Sequence, residues 1–583
     1  MYRAPLREVR FALHELTCDA RLYGLPGLED YSAEFADDVL EQAARFAEQV
    51  LAPINADGDR AGAQWTPEGV RMPASFKDAF RRFVDAGWTR LGGPTEHGGM
   101  GAPTVLCTAV EEFWSSANLA FKLCPMLTRG AVEAIRHCGS GEQQKRYLPR
   151  MISGEWTGTM NLTEPQAGSD LGAIRTRAVP DGGAYRIFGQ KIFITYGDHD
   201  YTSNIIHLVL ARIEGAAPGT RGISMFIVPK VHVLDDGSLG ARNDVRCVSI
   251  EHKLGIHASP TCVLAYGDAG GAVGYLVGEP NRGLEYMFIM MNAARLTVGL
   301  EGYALGERAY QQALDWARQR VQGKASSIVE HADVRRMLMS IKAHTDAARA
   351  IALYGALQLD LAAHARDAGE REVARSRADL LIPIIKAWST ERGIRSTSLG
   401  IQVHGGMGFI EETGAAQHLR DARITTIYEG TTGIQAGDLV GRKIGRDAGA
   451  AMFAFLDHVG EDLGSAQSPD PQARRSCEAA AAAVSTLREA TAALLRIGGG
   501  GPAGALAVAV PYLELCGTVF GAWRMAKAHV EAARRLKDDP DFYAGKCQQA
   551  RFYRDQIQPK AASLAAIVGN GAACVNEADT SLF

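Results

Sequence analysis

The sequence has no apolar run that approaches the roughly 18 residues needed to span a membrane. Its ten cysteines lie far apart, as at Cys18, Cys107, Cys262 and Cys574, and no two of them form a C-x-x-C pair. This spacing argues against a disulfide framework and against a zinc site, and it favours reduced thiols. We therefore expect neither a metal centre nor a membrane-spanning segment.

An excess of charge of one sign is also lacking. The chain has 62 Lys and Arg against 66 Asp and Glu, which gives a formal net charge of −4. No global field therefore attracts the protein to nucleic acid or to anionic lipid. The first 15 residues carry charges throughout and lack the apolar core of a signal peptide. These features predict a cytoplasmic protein.

The composition that remains is that of a globular protein, with 46% hydrophobic and 22% charged residues among 583. Helical spacing of Phe35, Val39, Ala43, Phe46 and Val50 dominates the first part of the chain. After Pro280 the helical period returns, and the stretch 285–320 contains no proline, so we expect one long helix there.

The middle of the chain reads as an antiparallel β domain. Short β-branched runs occur at 185–188, 191–195, 205–210, 223–228 and 245–250, and Gly189 looks like a turn between the first two. The predicted fold class is α+β, mostly helical. The predicted domains are a helical domain at 1–155, a β domain at 156–282, a helical bundle at 283–448 and an additional helical domain at 449–583.

Two segments are rich in residues that bind ligands through the backbone. Segment 162–170 combines Pro165, which stiffens a loop, with Gly168, which permits close approach, and with the hydroxyls of Thr163 and Ser169. Segment 402–409 has three glycines in four residues after a predicted helix. Segment 162–170 fits either a ligand-binding surface or a structural turn. Segment 402–409 fits either a ligand-binding surface or a plain helix terminator.

The third segment, 419–435, places Glu429 between an apolar β-branched run and Gly430. A carboxyl group in apolar surroundings has a raised pKa, which suits a general base. Thr432 and Gln435 have the spacing of a capping box at the start of the next helix. By itself this segment fits a catalytic loop or an ordinary helix start.

In this order, the three segments resemble the acyl-CoA dehydrogenase family, over about residues 30–445. The region from about residue 450 resembles that of a C-terminally extended bacterial branch. The resemblance implies a helical domain, a β domain and a helical bundle, with FAD held between the last two. It also implies oxidation of an acyl-CoA to a trans-2-enoyl-CoA, as in fatty acid β-oxidation, with hydride transfer to flavin N5.

The resemblance implies that Glu429 is the catalytic base. In other branches the base precedes a helix arginine, but Ala294 stands there. The residues that the resemblance assigns to FAD are Met160, Leu162, Thr163, Gly168, Ser169, Phe193, Ile194, Thr195, Arg320, Gln402, Gly406, Thr431 and Gly433. Those that it assigns to the substrate are Ser169, Asn292, Arg295, Tyr428 and Gly430. The chain departs from the family pattern at Asn161, where a small residue is usual, and at Gly433, where Gln is common.

The implied partners are an acyl-CoA and an electron-transfer flavoprotein. Arg320, Gln402 and Gly406 match positions that reach the FAD of a neighbouring subunit, which implies a homodimer, with a tetramer as the alternative. An acyl-CoA oxidase is the nearest alternative function. A flavin-containing DNA-binding relative is a second one, but residues 451–583 hold 13 basic and 14 acidic side chains, which favours no nucleic-acid binding.

Overall fold

A computed structural model describes residues 2–17, 22–323, 326–499 and 501–583. The chain divides into two compact units. Residues 46–103 and 117–294 form the first, which we call the sheet unit. Residues 1–45, 104–116 and 295–583 form the second, which we call the helical unit.

The strands lie in the sheet unit. They are β1 Gln64–Thr66, β2 Gly69–Arg71, β3 Trp156–Asn161, β4 Arg177–Asp181, β5 Ala184–Thr195, β6 Asn204–Ile213, β7 Ile223–Pro229, β8 Val231–Val233, β9 Leu239–Arg242, β10 Val245–Ile250, β11 Thr261–Tyr266 and β12 Ala272–Leu276. The main sheet has the order β10-β11-β5-β12-β7-β6-β3, and β4 pairs with both β5 and β6. Most pairs are antiparallel, but β6 runs parallel to β3 and to β4.

The turn predicted at Gly189 is wrong. Strand β5 continues through this residue without interruption: β11 pairs with it from Gly189 onward, and β4 and β12 pair with the part before Gly189. A Cβ at position 189 would lie 2.9 Å from the Cα of Thr176, so glycine is needed for close approach rather than for a turn. The two predicted strands are therefore one.

The helices occur in both units. In chain order they are α1 Leu6–Arg10, α2 Ala33–Phe46, α3 Asn55–Ala61, α4 Ala74–Asp85, α5 Thr104–Ala117, α6 Leu119–Cys138, α7 Gly141–Ile152, α8 Gly283–Gln319, α9 Ala332–His364, α10 Ala368–His404, α11 Ala415–Arg423, α12 Thr432–Gly437, α13 Ala450–Ser465, α14 Pro471–Gly498, α15 Pro502–Ala507, α16 Ala509–Arg534, α17 Pro540–Phe552, α18 Lys560–Asn570 and α19 Ala572–Asn576. The single long helix expected over 285–320 is confirmed by α8.

The core of the helical unit includes the C-terminal helices. The indole of Trp523 on α16 is 1% exposed and lies edge-on to the rings of Tyr354 on α9 and Phe455 on α13. Its Nε1 donates to Asp462 at 2.7 Å, which satisfies the buried donor. The region after residue 450 is therefore packed into the same compact unit as the bundle.

The predicted fold class is confirmed: the chain is α+β and mostly helical, and apart from the short pair β1 and β2 its described strands lie between residues 156 and 276. Within the described ranges, no helix has both the length and the apolar character that crossing a bilayer requires. The division into four domains at the residues given above stays a prediction.

Candidate active site

Glu429 lies in a short loop between the turn Ile424–Thr426 and helix α12. Its backbone φ is 55°, in the left-handed region that residues with a side chain rarely adopt. Gly430 follows with a φ of 89°, which glycine adopts without steric penalty. A non-glycine residue keeps such a conformation only where its surroundings enforce it, and such positions cluster at functional sites.

Side chains from the helical unit hold this loop in place. The Nε2 of Gln435 donates to the carbonyl oxygen of Glu429 at 3.0 Å. The Nζ of Lys386, on α10, donates to the carbonyl oxygen of Gly430 at 2.7 Å. Two consecutive carbonyls are thus fixed from outside the loop, which explains how the left-handed turn is maintained.

The predicted capping box at α12 is wrong by one residue. Thr431, not Thr432, is the N-cap, and its Oγ1 accepts from the backbone N–H of Ile434 at 3.3 Å. The hydroxyl of Thr432 instead donates to Glu391 at 2.7 Å. Two adjacent threonines offer equivalent hydroxyls, and Glu391 on α10, which is distant in sequence, determines which one caps the helix.

The carboxyl group of Glu429 has an unusual proton affinity. Burial raises its pKa to about 7, while the charges of Arg295 and Lys386 lower it and the charge of Glu301 raises it. Desolvation is the largest of these effects, so the neutral form is favoured relative to an exposed glutamate. The raised pKa expected from the sequence is confirmed, and its value suits proton abstraction near neutral pH.

Arg295 lies on α8 and is 5% exposed. Its Nη1 donates to Asp438 at 3.3 Å, and Asp438 also forms an ion pair with Arg442 at 3.2 Å. Burial lowers the pKa of Arg295, and the carboxylates of Asp438 and Glu429 oppose that effect. Arg295 therefore brings a positive charge to the environment of Glu429 while its own guanidinium is held by Asp438.

Tyr428 precedes Glu429, and its hydroxyl donates to the carboxylate of Glu301 on α8. Glu301 is fully buried. Burial, together with this carboxylate, holds the pKa of Tyr428 well above its usual value, so the phenol stays protonated and acts as a donor. The predicted site residues Tyr428, Glu429, Gly430 and Arg295 thus meet in the helical unit.

In the sheet unit, the predicted cofactor residue Met160 lies at the end of β3, and its side chain is partly exposed. Its neighbours Thr159 and Asn161 are fully buried on the opposite face of the strand. Asn161 donates to Thr159 at 2.7 Å and accepts from the hydroxyl of Tyr266 at 3.0 Å. The departure from the family pattern at Asn161 therefore has a structural role in fixing the end of β3.

The loop after β3 is built on a buried ion pair. Lys191 is fully buried and its Nζ donates to the carbonyl oxygen of Leu162 and to Glu164, both at 2.8 Å. The carboxylate of Glu164 also accepts from the backbone N–H groups of Arg175 at 2.7 Å and Thr176 at 3.0 Å. Burial alone would raise the pKa of Glu164, but Lys191 and these donors lower it to about 2. The segment 162–170 is therefore an ordered loop.

We predict that Lys191→Met loosens this loop. The change leaves the carboxylate of Glu164 buried without its cation, which costs about 3 to 5 kcal/mol. We expect a lower midpoint of thermal unfolding and a reduced FAD content after purification, measured by the flavin-to-protein absorbance ratio. Lys145→Met, at an exposed lysine of α7, is the matched control. Wild-type stability and flavin content in the Lys191 variant would contradict the prediction.

The other predicted cofactor residues of this unit present different surfaces. Phe193 is 58% exposed with a φ of 59°, whereas Ile194 is 2% exposed. Gly168 and Ser169 are exposed in the loop, and Thr195 is partly buried and pairs with Thr261. An exposed aromatic ring on a backbone with positive φ is uncommon, which makes Phe193 a candidate contact for a ligand.

Arg320, Gln402 and Gly406 lie in the helical unit, and all three are exposed. The turn Gly405–Phe409 follows α10 and carries two exposed apolar side chains, Met407 at 45% and Phe409 at 87%. Exposed apolar groups of this size on one turn favour an interaction surface. Thr431 and Gly433, at the start of α12, are exposed as well.

Four domain descriptions of the acyl-CoA dehydrogenase family match the sequence. These are the N-terminal domain over 34–155, the middle domain over 159–269, the C-terminal domain over 281–444 and an acetyl-CoA dehydrogenase C-terminal-like domain over 450–579. The chain belongs to the acyl-CoA dehydrogenase family. It is an oxidoreductase that dehydrogenates acyl-CoA thioesters with FAD as cofactor.

Individual relatives span the whole chain. A 3-methylmercaptopropionyl-CoA dehydrogenase from Ruegeria pomeroyi is 44% identical, over 95% of this chain and 96% of its own. A broad-specificity linear acyl-CoA dehydrogenase from Mycobacterium tuberculosis is 33% identical over 100% of both chains. The solved structure of an acyl-CoA dehydrogenase complexed with FAD from Bacillus anthracis has the same fold, with a TM-score of 0.75 and 20% identity over 100% of this chain and 94% of that one.

Sequence reasoning missed three residues that contact the Glu429 loop or its neighbours. They are Lys386, Glu301 and Gln435. The sequence indicates Gln435 only as part of a capping box, not as a donor to Glu429. Lys386 and Glu301 lie within long helices, where a single charged residue in an apolar segment was the only available signal. Asn292, a predicted substrate residue, lies on α8 three residues before Arg295, and its role stays a prediction.

Proposed function

We propose that Glu429 is the general base that removes the Cα proton of the acyl thioester. The observation that carries this proposal is the buried carboxyl group in a strained, externally anchored loop, with a pKa of about 7. Such a group is ionised enough to accept a proton at neutral pH and basic enough to hold it. The residue preceding Arg295 is Ala294, which has no side chain able to compete.

The backbone at Glu429 supports a second role. Its N–H donates to no acceptor among the described residues. A donor at this position is suited to the thioester oxygen, where negative charge develops as the Cα proton leaves. FAD, when bound, supplies the hydride acceptor for Cβ. The residues assigned to it would hold it through the backbone of the loop after β3 and the exposed ring of Phe193.

The pKa of Glu429 makes a pH prediction. Below about pH 7 the carboxyl group is protonated and cannot accept the Cα proton, so kcat/KM should fall about tenfold per pH unit on the acidic side. The profile should level off above that pH as the carboxylate becomes fully ionised. Initial rates with an artificial electron acceptor from about pH 5 to 9 measure it. An acidic limb centred near the pKa of an ordinary exposed glutamate would contradict the burial argument.

We propose a short acyl-CoA with a thioether in the chain as the preferred substrate and an electron-transfer flavoprotein as the acceptor. The support is the 44% identity to the Ruegeria pomeroyi enzyme over nearly the whole chain. A panel of short, medium, long and sulfur-containing acyl-CoA thioesters tests the first part. Peroxide formation at the rate of substrate turnover would instead favour the oxidase alternative. We further propose that the enzyme catalyses a step of β-oxidation in the cytoplasm.

We propose a homodimer in which Arg320, Gln402 and Gly406 contact the FAD of the second copy. The exposed turn with Phe409 supports it. We expect Phe409→Asp to weaken the dimer and lower the flavin content, because a charge on an apolar contact is unfavourable. Val373→Asp, on an apolar side chain that is 50% exposed, is the control. Sedimentation shows the outcome, and an unchanged dimer with full flavin would refute this use of the turn.

A further inference from the structure

Both residues that flank Glu429 are anchored by a buried charged side chain. Gly430 accepts from Lys386 through its carbonyl oxygen at 2.7 Å. Tyr428 donates to Glu301 through its hydroxyl. Both anchors are fully buried, and they have opposite charge. Burying a charged side chain is unfavourable unless it has a specific partner. The hydrogen bonds to Gly430 and Tyr428 supply such partners for Lys386 and Glu301.

We propose that Lys386 and Glu301 are positioning residues for Glu429, which they fix through its two neighbours in the chain. The inference rests on the proposed role of Glu429 as the base. Lys386 acts from α10 on the C-terminal side of the base, and Glu301 acts from α8 on its N-terminal side. Gly430 is therefore held by its carbonyl oxygen and Tyr428 by its phenol, while the carboxyl group of Glu429 takes part in neither contact.

The same two anchors act on the charge of Glu429 in opposite directions. The ammonium of Lys386 favours the carboxylate, whereas the carboxylate of Glu301 disfavours it. Burial lowers the pKa of Lys386 to about 8, and the charges of Glu429, Glu301 and Glu391 oppose that effect. The other charged group that acts on Glu429 within the helical unit is Arg295, which is held by Asp438. Because the two anchors have opposite charges, they hold the loop while their effects on the pKa of Glu429 oppose each other. The carboxyl group can therefore still gain and lose a proton.

Opposite signs make the proposal testable against simple loss of packing. Lys386→Met removes the cation, so the midpoint of Glu429 ionisation should rise by about one pH unit or more. Glu301→Gln keeps the size and the acceptor for Tyr428 but removes the anion, so the midpoint should fall. Lys386→Arg keeps the positive charge, so its midpoint should lie closer to the wild-type midpoint than that of Lys386→Met.

The measurement is made on the FAD-loaded protein without substrate. The infrared band of the protonated Glu429 carboxyl group is followed against pH, with Glu429→Gln identifying the band by difference. This readout is independent of turnover, so it still reports on the anchors if Glu429 is not the base. The pH profile of kcat/KM then shows whether the same midpoint governs catalysis.

Shifts in opposite directions support the proposal. Unchanged midpoints, or shifts of both variants in the same direction, overturn it, because packing defects have no reason to differ in sign. If Glu301→Gln loses its FAD, the double variant Glu301→Leu with Tyr428→Phe removes both hydrogen-bonding partners together with the anion, which is less disruptive than leaving one partner unsatisfied. The double variant should show the same downward shift, and its absence there would equally overturn the role of Glu301.

Discussion

Glu429→Gln should lower turnover about a thousandfold or more while the protein keeps its yellow flavin. The amide has nearly the size and shape of the carboxyl group, so the loop contacts from Gln435 and Lys386 to backbone carbonyls are unaffected. What is lost is the ability to accept a proton. Because burial already raises the pKa of Glu429, a neutral group at this position should also be tolerated by its surroundings.

The measurement compares turnover with the best acyl-CoA of the panel, flavin content and acyl-CoA affinity in the two proteins. Glu412→Gln, at an exposed glutamate in the same unit, is the matched control and should behave as wild type. Loss of turnover with retained flavin and retained thioester binding identifies a catalytic effect. If the Glu429 variant retains more than about a tenth of wild-type activity, the base is another residue.

The parts of the site that the sequence predicted are those carried by contiguous segments. Glu429, Tyr428 and Gly430 are adjacent, and a glutamate between an apolar run and a glycine is visible without any structure. The long helix α8 was also predictable, because no proline interrupts its period. Local signals suffice when the chain itself brings the residues together.

The anchors of the site could not be predicted in this way. Lys386 lies 44 residues from the glycine whose carbonyl it binds, and Glu301 lies 127 residues from Tyr428. Their partners are set by how α8 and α10 pack in the helical unit, which helical periodicity does not specify. The wrong capping box at Thr432 has the same cause, because the hydroxyl of Thr432 donates to Glu391 on another helix, α10, and local sequence does not show this contact.

At Gly189 the local sequence does give a signal, but that signal is misleading. A glycine between two β-branched runs indicates a turn by its local sequence. Here a neighbouring segment requires the space, because Thr176 lies against the position where a side chain would be. The strand therefore continues, and only the tertiary contact distinguishes the two cases.

The largest structural prediction concerns the C-terminal region. A buried ion cluster joins it to the rest of the helical unit: its carboxylates are Glu8, Glu112, Glu307 and Asp346, and its cations are Lys342, Arg349 and Lys546. Lys546, on α17, is 3% exposed and donates to Asp346 on α9 at 2.8 Å. Removal of Lys546 would leave the carboxylates of Asp346 and Glu8 without one of their cations. Breaking a buried ion pair in this way is strongly destabilising.

Truncation after Gly464 should therefore give a protein that is poorly soluble or depleted of FAD. It removes Lys546 from the ion cluster and Trp523 from its contacts with Tyr354 and Phe455, which exposes both charge and apolar surface of the bundle. A shorter truncation after Asn570 removes mostly exposed residues and should be tolerated. Soluble yield, flavin content and acyl-CoA turnover of the two truncations are compared with those of the whole chain. If the protein ending at Gly464 stays soluble, flavin-loaded and fully active, the C-terminal region does not stabilise the bundle, and its presence must be explained by a partner or ligand of its own.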